Sequence, residues 1–384
     1  MESISLITSP CQIYMGCNVI NRLCEDIKFL KGKRVLVISD SGIRKAGLVE
    51  IITDIISKKF EFEIFYDIEP EPSVSTVDKC VKYARKSNSD IIIGVGGGSV
   101  IDVAKATAVC LGNKNDIKNY YGINKVPEPS IPKILIPTTA GTGSEVGMYV
   151  VLTDENNFKQ TIASKYLLAD VTLIDPLMTI SMPPNVTAET GADALSHAIE
   201  GYVSVKANTY SNMVGLEAIK LIGKFLLRAY ANGNDIDARI GMSEASMLAN
   251  MSYGASSLGA IHALAYSFTR YFGFSHGRSN AIIMPAVMRY NYIANQEKFS
   301  NIALALGGNI KNLPVSDAAA KVGDIVEDMI NSMGIGTKIS SYNIAKSELP
   351  KMAEYTLENY ERLLRYNPRM MNLDQAYDVF LSTY

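Results

Sequence analysis

The sequence predicts an α/β N-terminal domain with a mostly parallel sheet, followed by an all-helical C-terminal domain. In the first half, short apolar runs alternate with helix-period segments, which is the pattern of βαβ units. Beyond Pro183-Pro184 the helical period continues and no convincing β run interrupts it. We therefore expect a boundary near residue 180, with domains at 1–180 and 181–384.

The first half predicts four strands and the helices between them. Apolar, β-branched runs bounded by polar residues or glycines indicate buried strands at 34–40, 60–66, 90–95 and 133–137. Helical spacing predicts helices over 44–58 and 75–87. In the second of these helices, Val77, Cys80, Val81 and Ala84 share one face.

The second half predicts helices throughout, because Ala, Met, Leu and Ile recur with the helical period. These helices are expected at about 187–204, 208–230, 236–250, 256–271, 279–293, 317–333 and 346–359.

Composition limits the possible functions. The 384 residues carry 37 Lys and Arg against 39 Asp and Glu, a net charge of -2, which argues against a nucleic-acid partner. No apolar run reaches the roughly 18 residues of a membrane span, and the N-terminus has no signal-peptide pattern. Five cysteines without a CxxC pair indicate reduced thiols, so we expect a cytoplasmic protein.

A glycine-rich segment follows the third predicted strand and opens a helix. Glycines let the backbone approach a phosphate, and a helix N-terminus offers free N–H groups and a positive dipole end. Gly96, Gly97, Gly98, Ser99 and Asp102 are therefore candidate dinucleotide-binding residues. The segment is neither G-x-G-x-x-G nor a P-loop, and it also fits a tight strand-to-helix turn that holds no ligand.

A second polar loop, Pro137 to Glu145, follows the fourth strand. Its hydroxyl groups suit a nucleotide, and Thr138, Thr139 and Thr142 are the candidates. Two such loops at the carboxyl ends of sheet strands fit the ligand crevice of open α/β sheets. Asp40, at the end of the first strand, is a candidate for the adenosine ribose and would favour NAD over NADP. Asp40 fits a helix N-cap equally well.

All three histidines of the chain, His197, His262 and His276, fall in one stretch. His197 follows Asp193 by four residues, which places both side chains on one helix face. Imidazole and carboxylate suit a first-row divalent ion such as iron(II) or zinc. We therefore interpret Asp193 and the three histidines as one metal site.

These motifs together resemble the iron-containing (group III) alcohol dehydrogenases, over nearly the whole chain. The resemblance rests on ordered motifs: Ile13 to Gly16, Gly96 to Lys105, Thr138 to Glu145, Asp175-Pro176, Thr190 to Ala194, His197 to Glu200, His262 to Ala265, His276-Gly277, Ser279 to Ala281 and Asn367 to Arg369. It implies the two-domain architecture of that family and of dehydroquinate synthase, with an N-terminal dinucleotide-binding domain.

The resemblance also implies residue roles. The four metal ligands would be Asp193, His197, His262 and His276, whereas glycerol dehydrogenase and dehydroquinate synthase use three protein ligands. Lys159 and Val186 would lie beside the cofactor, NAD(H). Tyr149 and Tyr253 match the substrate pocket, and the alternative is that both are packing residues.

One departure from the family concerns the proton relay. Many members carry histidine four residues after the third ligand, where this chain has Tyr266. An unperturbed tyrosine has a pKa of about 10 and is a poor base at neutral pH. Tyr266 is therefore a candidate catalytic residue, with water or the nicotinamide ribose as the alternative relay.

The resemblance implies an NAD-dependent oxidoreductase of short-chain primary alcohols and aldehydes, with a metal that polarises the substrate oxygen. Iron(II) is the expected ion and zinc also fits the ligands. The alternative is a specialised reductase of a polar or anionic aldehyde, with Arg278 pairing the anion; Arg278 also fits a structural ion pair. A non-enzymatic binding protein is a further alternative, which both retained loops and all four ligands oppose. A homodimer or larger homo-oligomer is expected from the family.

Overall fold

The computed structural model describes residues 6–156 and 158–384. The chain divides into two compact units. The α/β unit comprises Thr8–Thr139 and Gly143–Met182, and the helical unit comprises residues 6–7, Ala140–Thr142 and Pro183–Tyr384. A single boundary near residue 180 therefore leaves out one feature, since part of the second polar loop groups with the helical unit.

Strands occur only in the α/β unit among the described residues. They are β1 (Gln12–Met15), β2 (Arg34–Ile38), β3 (Glu61–Phe65), β4 (Ile91–Gly96), β5 (Gly122–Ile123), β6 (Lys133–Pro137), β7 (Tyr149–Thr153), β8 (Lys159–Ala163) and β9 (Val171–Ile174). Six form a parallel sheet in the order β1-β9-β6-β4-β2-β3. The others form a small sheet, β5-β8-β7, in which β7 and β8 are antiparallel. The four predicted strands are confirmed as β2, β3, β4 and β6.

The helices of the α/β unit cover both faces of the parallel sheet. They are α1 (Leu23–Phe29), α2 (Ser41–Lys45), α3 (Leu48–Ile56), α4 (Val74–Lys86) and α5 (Gly98–Gly112). Alternate strand residues enter two cores, with Leu36 and Ile92 in one and Val35 and Ile91 in the other. Burial on both faces explains why β2, β4 and β6 are nearly continuous apolar runs. The helix predicted over 44–58 is confirmed as α3, but it begins only at Leu48, because Gly47 takes a φ of 76° and separates it from α2.

The helical unit contains ten α-helices in the described part of the chain. They are α6 (Pro184–Val203), α7 (Thr209–Ala231), α8 (Ile236–Gly254), α9 (Ala260–Phe272), α10 (His276–Asn291), α11 (Gln296–Ala305), α12 (Val315–Ala320), α13 (Val322–Ser332), α14 (Leu349–Leu364) and α15 (Leu373–Ser382). All seven predicted regions are helical, although 317–333 is divided at Lys321 into α12 and α13. No described helix combines the length and apolar content needed to cross a membrane.

The strand order creates a topological switch point between β2 and β4. From β2 the chain continues to β3 on one side, and β4 then pairs with β2 on the other side. Open parallel sheets bind ligands outside the carboxyl ends of strands at such a point. Asp40 follows β2 and Gly97 follows β4, so two candidate cofactor residues lie at the ends of the strands that flank this switch point.

Candidate functional site

Helix α6 presents the first two residues of the candidate metal centre. Asp193 and His197 lie one helical turn apart, and both are buried within the helical unit. The His197 Nδ1 atom lies 3.8 Å from Asp193 Oδ2. That nitrogen is buried and has no hydrogen-bond partner among the described residues, so it is free to act as a ligand.

The other two residues come from the first turns of α9 and α10. His262 is the third residue of α9, and His276 is the first residue of α10. Asp193 Oδ1 lies 3.9 Å from His262 Nε2 and 3.6 Å from His276 Nε2. One donor atom from each of the four residues lies within 4.8 Å of the others.

These separations fit a single small cation. Ligand bonds of about 2.0–2.2 Å place donor atoms roughly 3–4 Å apart around one ion. Three imidazoles and one carboxylate suit iron(II) or zinc better than magnesium or calcium, which prefer oxygen ligands. The donor set therefore fits the metal that the sequence predicts.

Burial and mutual contact set the protonation of this centre. Burial raises the pKa of Asp193, but His197, His276, His262 and the Asn280 amide outweigh it and hold this pKa below its usual range. Burial lowers the pKa of His197 to about 4, although Asp193 opposes the shift. An ionised carboxylate and a neutral imidazole at neutral pH are the forms that bind metals.

Two polar residues that sequence reasoning assigned no role contact the four. Asn280 Nδ2 donates to Asp193 Oδ1 at 2.8 Å and lies 3.3 Å from Nε2 of both His262 and His276. Glu200 Oε2 lies 2.6 Å from His262 Nδ1. Both residues follow a ligand by three or four positions on the same helix, and this spacing is the signal that could have found them.

Aromatic rings pack on the outer faces of the histidines. Tyr253 stacks on His197 with ring centroids 4.7 Å apart, and Tyr266 stacks on His276 at 5.5 Å. Tyr360 in turn stacks on Tyr266 at 4.4 Å. The predicted candidates Tyr253 and Tyr266 therefore both lie against the metal centre, and Tyr360 is an addition that the sequence analysis missed.

The side chain of Asn250 connects Tyr253 to the second polar loop. Its Nδ2 donates to the Tyr253 hydroxyl at 2.8 Å and to the Thr142 carbonyl oxygen at 2.9 Å. Thr142 therefore contributes a backbone group within the helical unit, whereas the sequence analysis placed it with the α/β domain.

The glycine-rich loop of the α/β unit joins β4 to α5. Gly97 is the N-cap of α5, and Gly98 and Ser99 form its first turn. A Cβ on Gly96 would lie 2.6 Å from the side chain of Val100. Tight packing against Val100 thus explains why residue 96 is glycine. The N-terminus of α5 beside it has no side-chain cap, so its free N–H groups suit a phosphate.

The second polar loop lies against the first. The Thr138 backbone N–H donates to the Gly96 carbonyl oxygen at 3.0 Å, and a Cβ on Gly97 would lie 3.3 Å from Thr139. Thr138 Oγ1 is buried without a hydrogen-bond partner in the part of the chain that is described. The two candidate cofactor loops are thus adjacent, and the Thr138 hydroxyl can hydrogen-bond to a ligand.

Asp102 and Lys105 hold the second loop in place. Asp102 accepts from the Ser144 hydroxyl at 2.5 Å and from the Val151 N–H at 2.9 Å. The buried Lys105 ammonium donates to the Ser144 carbonyl oxygen at 2.9 Å and to the Tyr149 carbonyl oxygen at 2.5 Å. The carboxylate of Asp102 is therefore engaged by the protein, and the contacts describe a loop-positioning role.

The remaining candidates have the following positions. Asp40 is the N-cap of α2, where its Oδ1 accepts from Gly42 and Ile43, and its role toward a ribose stays a prediction. Lys159 on β8 pairs with Glu71 and donates to Thr153 Oγ1 at 2.9 Å. Tyr149 begins β7, and Val186 lies in the first turn of α6.

Arg278 forms an ion pair. Its Nη2 lies 2.8 Å from Glu189 Oε1, and the Ser275 hydroxyl donates to Glu189 Oε2 at 2.5 Å. Glu189 on α6 therefore holds the start of α10, which carries His276. The structural interpretation of Arg278 is the one that the contacts favour.

A switch-point glycine loop in one unit and a first-row metal donor set in the other are the parts of a metal-dependent dehydrogenase. Family models for iron-containing alcohol dehydrogenase match residues 10–176, and for the C-terminal part of that family match residues 187–384. The chain belongs to the iron-containing alcohol dehydrogenase family.

Individual relatives agree with this assignment. The sulfoacetaldehyde reductase of Bilophila wadsworthia is 37% identical over 368 residues, which are 95% of each chain. A crystal structure of 1,3-propanediol oxidoreductase superimposes with a TM-score of 0.96 at 35% identity, covering 100% of both chains. The NAD+ complex of sulfoacetaldehyde reductase from Bifidobacterium kashiwanohense has a TM-score of 0.90 at 26% identity, covering 100% of this chain and 99% of that one. The protein is an NAD-dependent, iron-type alcohol dehydrogenase or aldehyde reductase.

Proposed function

We propose that Asp193, His197, His262 and His276 bind one divalent ion, and that the protein uses this centre to transfer hydride between NAD(H) and a short-chain primary alcohol or aldehyde. The observation that carries the proposal is the convergence of one carboxylate and three imidazoles within 4.8 Å. Iron(II) or zinc bound there supplies a Lewis acid for the substrate oxygen.

The chain's own residues prepare this centre for substrate. Asp193 contributes negative charge, and Asn280 holds its carboxylate by the 2.8 Å hydrogen bond. His197 stays neutral at physiological pH because of its burial. Tyr253 and Tyr266 cover two of the imidazoles, which limits access of water. We assign Tyr253 to the substrate pocket, and Tyr149 remains a prediction from the family resemblance.

Tyr266 is our proposed proton relay. Its ring is held between His276 and Tyr360, so its hydroxyl is confined beside the centre. A tyrosine hydroxyl both donates and accepts a proton, and a water or the nicotinamide ribose is the alternative route.

For the cofactor, we propose that Gly97, Gly98 and Ser99 offer backbone N–H groups to the pyrophosphate. Gly96 shapes this loop, and Asp102 positions the second polar loop through Ser144 and Val151. We propose Thr138 and Thr139 of the second loop as further cofactor-binding residues, while Thr142 remains a prediction. Asp40 lies at the switch point, where a carboxylate disfavours the 2′-phosphate of NADP. Lys159 and Val186 remain predictions from the family resemblance.

One finding favours anionic aldehydes as a second substrate class: a relative that is 37% identical is named sulfoacetaldehyde reductase. In the anionic-aldehyde hypothesis, Arg278 would bind the negative group of the substrate. Its guanidinium is already paired with Glu189 at 2.8 Å. We therefore propose neutral short-chain aldehydes as the principal substrates.

The test compares NADH oxidation with propanal and with sulfoacetaldehyde, using the wild type, Arg278→Ala and Arg228→Ala. We expect the higher kcat/KM with propanal, and an equal fractional loss for both aldehydes in Arg278→Ala. Arg228→Ala is the matched control, because it breaks an exposed ion pair with Asp235 in the same unit. If kcat/KM of Arg278→Ala falls for sulfoacetaldehyde alone, the anionic-aldehyde hypothesis is supported. If the wild type turns over neither aldehyde, the proposed substrates are rejected.

A homodimer or larger homo-oligomer and a cytoplasmic location remain predictions. Light scattering on the purified protein tests the first, and cell fractionation tests the second.

A further inference from the structure

Glu200 makes three short contacts from one buried carboxylate. It lies on α6, three residues after His197, and is 3% exposed. Its Oε1 accepts from the backbone N–H of Ile261 at 2.6 Å and of His262 at 3.3 Å. Its Oε2 lies 2.6 Å from His262 Nδ1. A single side chain of α6 thus contacts both the backbone and the ring of a residue on α9.

The first two contacts cap helix α9. The N-cap residue of α9 is Gly259, which has no side chain to accept from the first N–H groups. Ile261 and His262 are the second and third residues of the helix, whose N–H groups lack intrahelical partners. Glu200 Oε1 therefore accepts from N–H groups that the N-cap residue cannot satisfy.

The third contact sets the tautomer of His262. An ionised carboxylate only accepts hydrogen bonds, so Nδ1 carries the proton and Nε2 keeps its lone pair. The Asn280 amide supports this independently, because its Nδ2, a donor to Asp193, also faces His262 Nε2 at 3.3 Å. In this tautomer the lone pair is the one that points toward Asp193 and His276.

We propose that Glu200 is a positioning residue of the metal centre, which fixes both the ring orientation and the Nδ1–H tautomer of His262. The inference rests on the proposed function, since it assigns the freed Nε2 to the ion. Because Glu200 and the ligands Asp193 and His197 share helix α6, its contact also fixes the α9 ligand relative to the α6 ligands. A carboxylate that orients a histidine ligand commonly changes metal affinity about 10–100-fold when it is replaced.

The test uses Glu200→Gln, which separates the cap from the tautomer. Glutamine Oε1 can still accept from Ile261 and His262, so α9 remains capped. Its NH2 group would donate to His262 Nδ1, which forces the proton onto Nε2 and removes the ligand lone pair. Glu217→Gln is the matched control, because Glu217 is half exposed on α7 and forms an ion pair with Lys220 at 3.1 Å, away from the candidate ligands.

The primary measurement is 15N NMR of histidine-labelled, metal-free protein, in which only three histidines give signals. We expect His262 as the Nδ1–H tautomer in the wild type and in Glu217→Gln, and as Nε2–H in Glu200→Gln. Zinc(II) affinity, measured by competition with a chelator, should fall about 10–100-fold in Glu200→Gln alone.

Two results would overturn the proposal. One is an Nε2–H tautomer of His262 in the wild type, which is measured without any variant. The other is an unchanged tautomer and unchanged zinc affinity in Glu200→Gln. A tautomer switch in protein that binds zinc in neither form would instead support the positioning role and reject the proposed metal centre.

Discussion

At the scale of single residues, buried charge in the α/β unit is concentrated around Lys105. Asp102 and Glu145 lie near its ammonium, and all three side chains are largely withdrawn from water. Burial raises the pKa of Glu145 to about 7, although Lys105 opposes this shift. These residues support the loop that holds Ser144, so their protonation bears on stability.

Glu145 predicts a pH dependence of folding. Its pKa in the folded protein, about 7, exceeds the reference value of 4.5. Below pH 4.5 the Glu145 carboxyl is protonated in both the folded and the unfolded state. Between pH 4.5 and about 7 it ionises in the unfolded state only, so the free energy of unfolding falls by about 3 kcal/mol as the pH rises through this range. Glu145→Gln should remove this loss, so the variant gains relative to the wild type between pH 4 and pH 8.

Urea unfolding at both pH values measures the effect. Glu155→Gln is the control, because Glu155 is exposed in the turn between β7 and β8. The same pH slope in the wild type and in Glu145→Gln would contradict the assignment.

Residue chemistry explains which site residues the sequence could predict. The three histidines are scarce and Asp193 is in helical register with one of them, so the clustering of these four side chains could be predicted. The helical spacing of Glu200 after His197 and of Asn280 after His276 places them near the candidate ligands. Their contacts with residues of another helix, His262 and Asp193, could not be predicted from that spacing. Asp40 could be placed at a strand end, yet only the structure shows that its Oδ1 caps α2.

At the scale of elements, the metal centre depends on close approach of α6 and α10. A Cβ on Gly277 would lie 2.3 Å from the Glu189 carbonyl oxygen of α6. The same helix ends are joined by the contacts of Glu189 with Ser275 and Arg278. His276, next to Gly277, is therefore positioned by helix packing.

Gly277→Ala should separate these helices. Because the new methyl group meets backbone, we expect a loss of about 1–3 kcal/mol in stability and weaker zinc binding. Gly254→Ala in α8 is the control, since its Cβ would meet nothing within 4 Å; it should gain up to about 1 kcal/mol. Thermal unfolding and zinc titration compare the two, and equal stability of both variants would refute the packing argument.

Elements differed in how far the sequence could predict them. Strands buried on both faces, such as β4 and β6, are continuous apolar runs and could be predicted. β8 has no such run, because three of its five residues are only partly buried. The division of 44–58 into α2 and α3 depends on the positive φ of Gly47, which helical periodicity does not reveal.

At the scale of the whole molecule, most candidate cofactor residues lie in one unit and the four candidate metal ligands lie in the other. The α/β unit has the parallel sheet, its switch point and both adjoining loop segments, while the helical unit has the complete donor set. The overall order of these halves could be predicted, because alternating periods and continuous helical periods differ strongly. The grouping of Ala140–Thr142 with the helical unit could not, since it depends on tertiary contacts such as that of Asn250 with Thr142.

We propose that hydride transfer depends on one metal ion held by Asp193, His197, His262 and His276. The most direct measurement titrates iron(II), under anaerobic conditions, into metal-free protein while NADH oxidation by propanal and bound metal are recorded together. We predict that activity is absent without metal and saturates at one ion per chain, and that Asp193→Ala gains neither metal nor activity. Full NADH oxidation by metal-free protein would contradict the metal dependence. So would no NADH oxidation by protein shown to hold one iron(II) per chain.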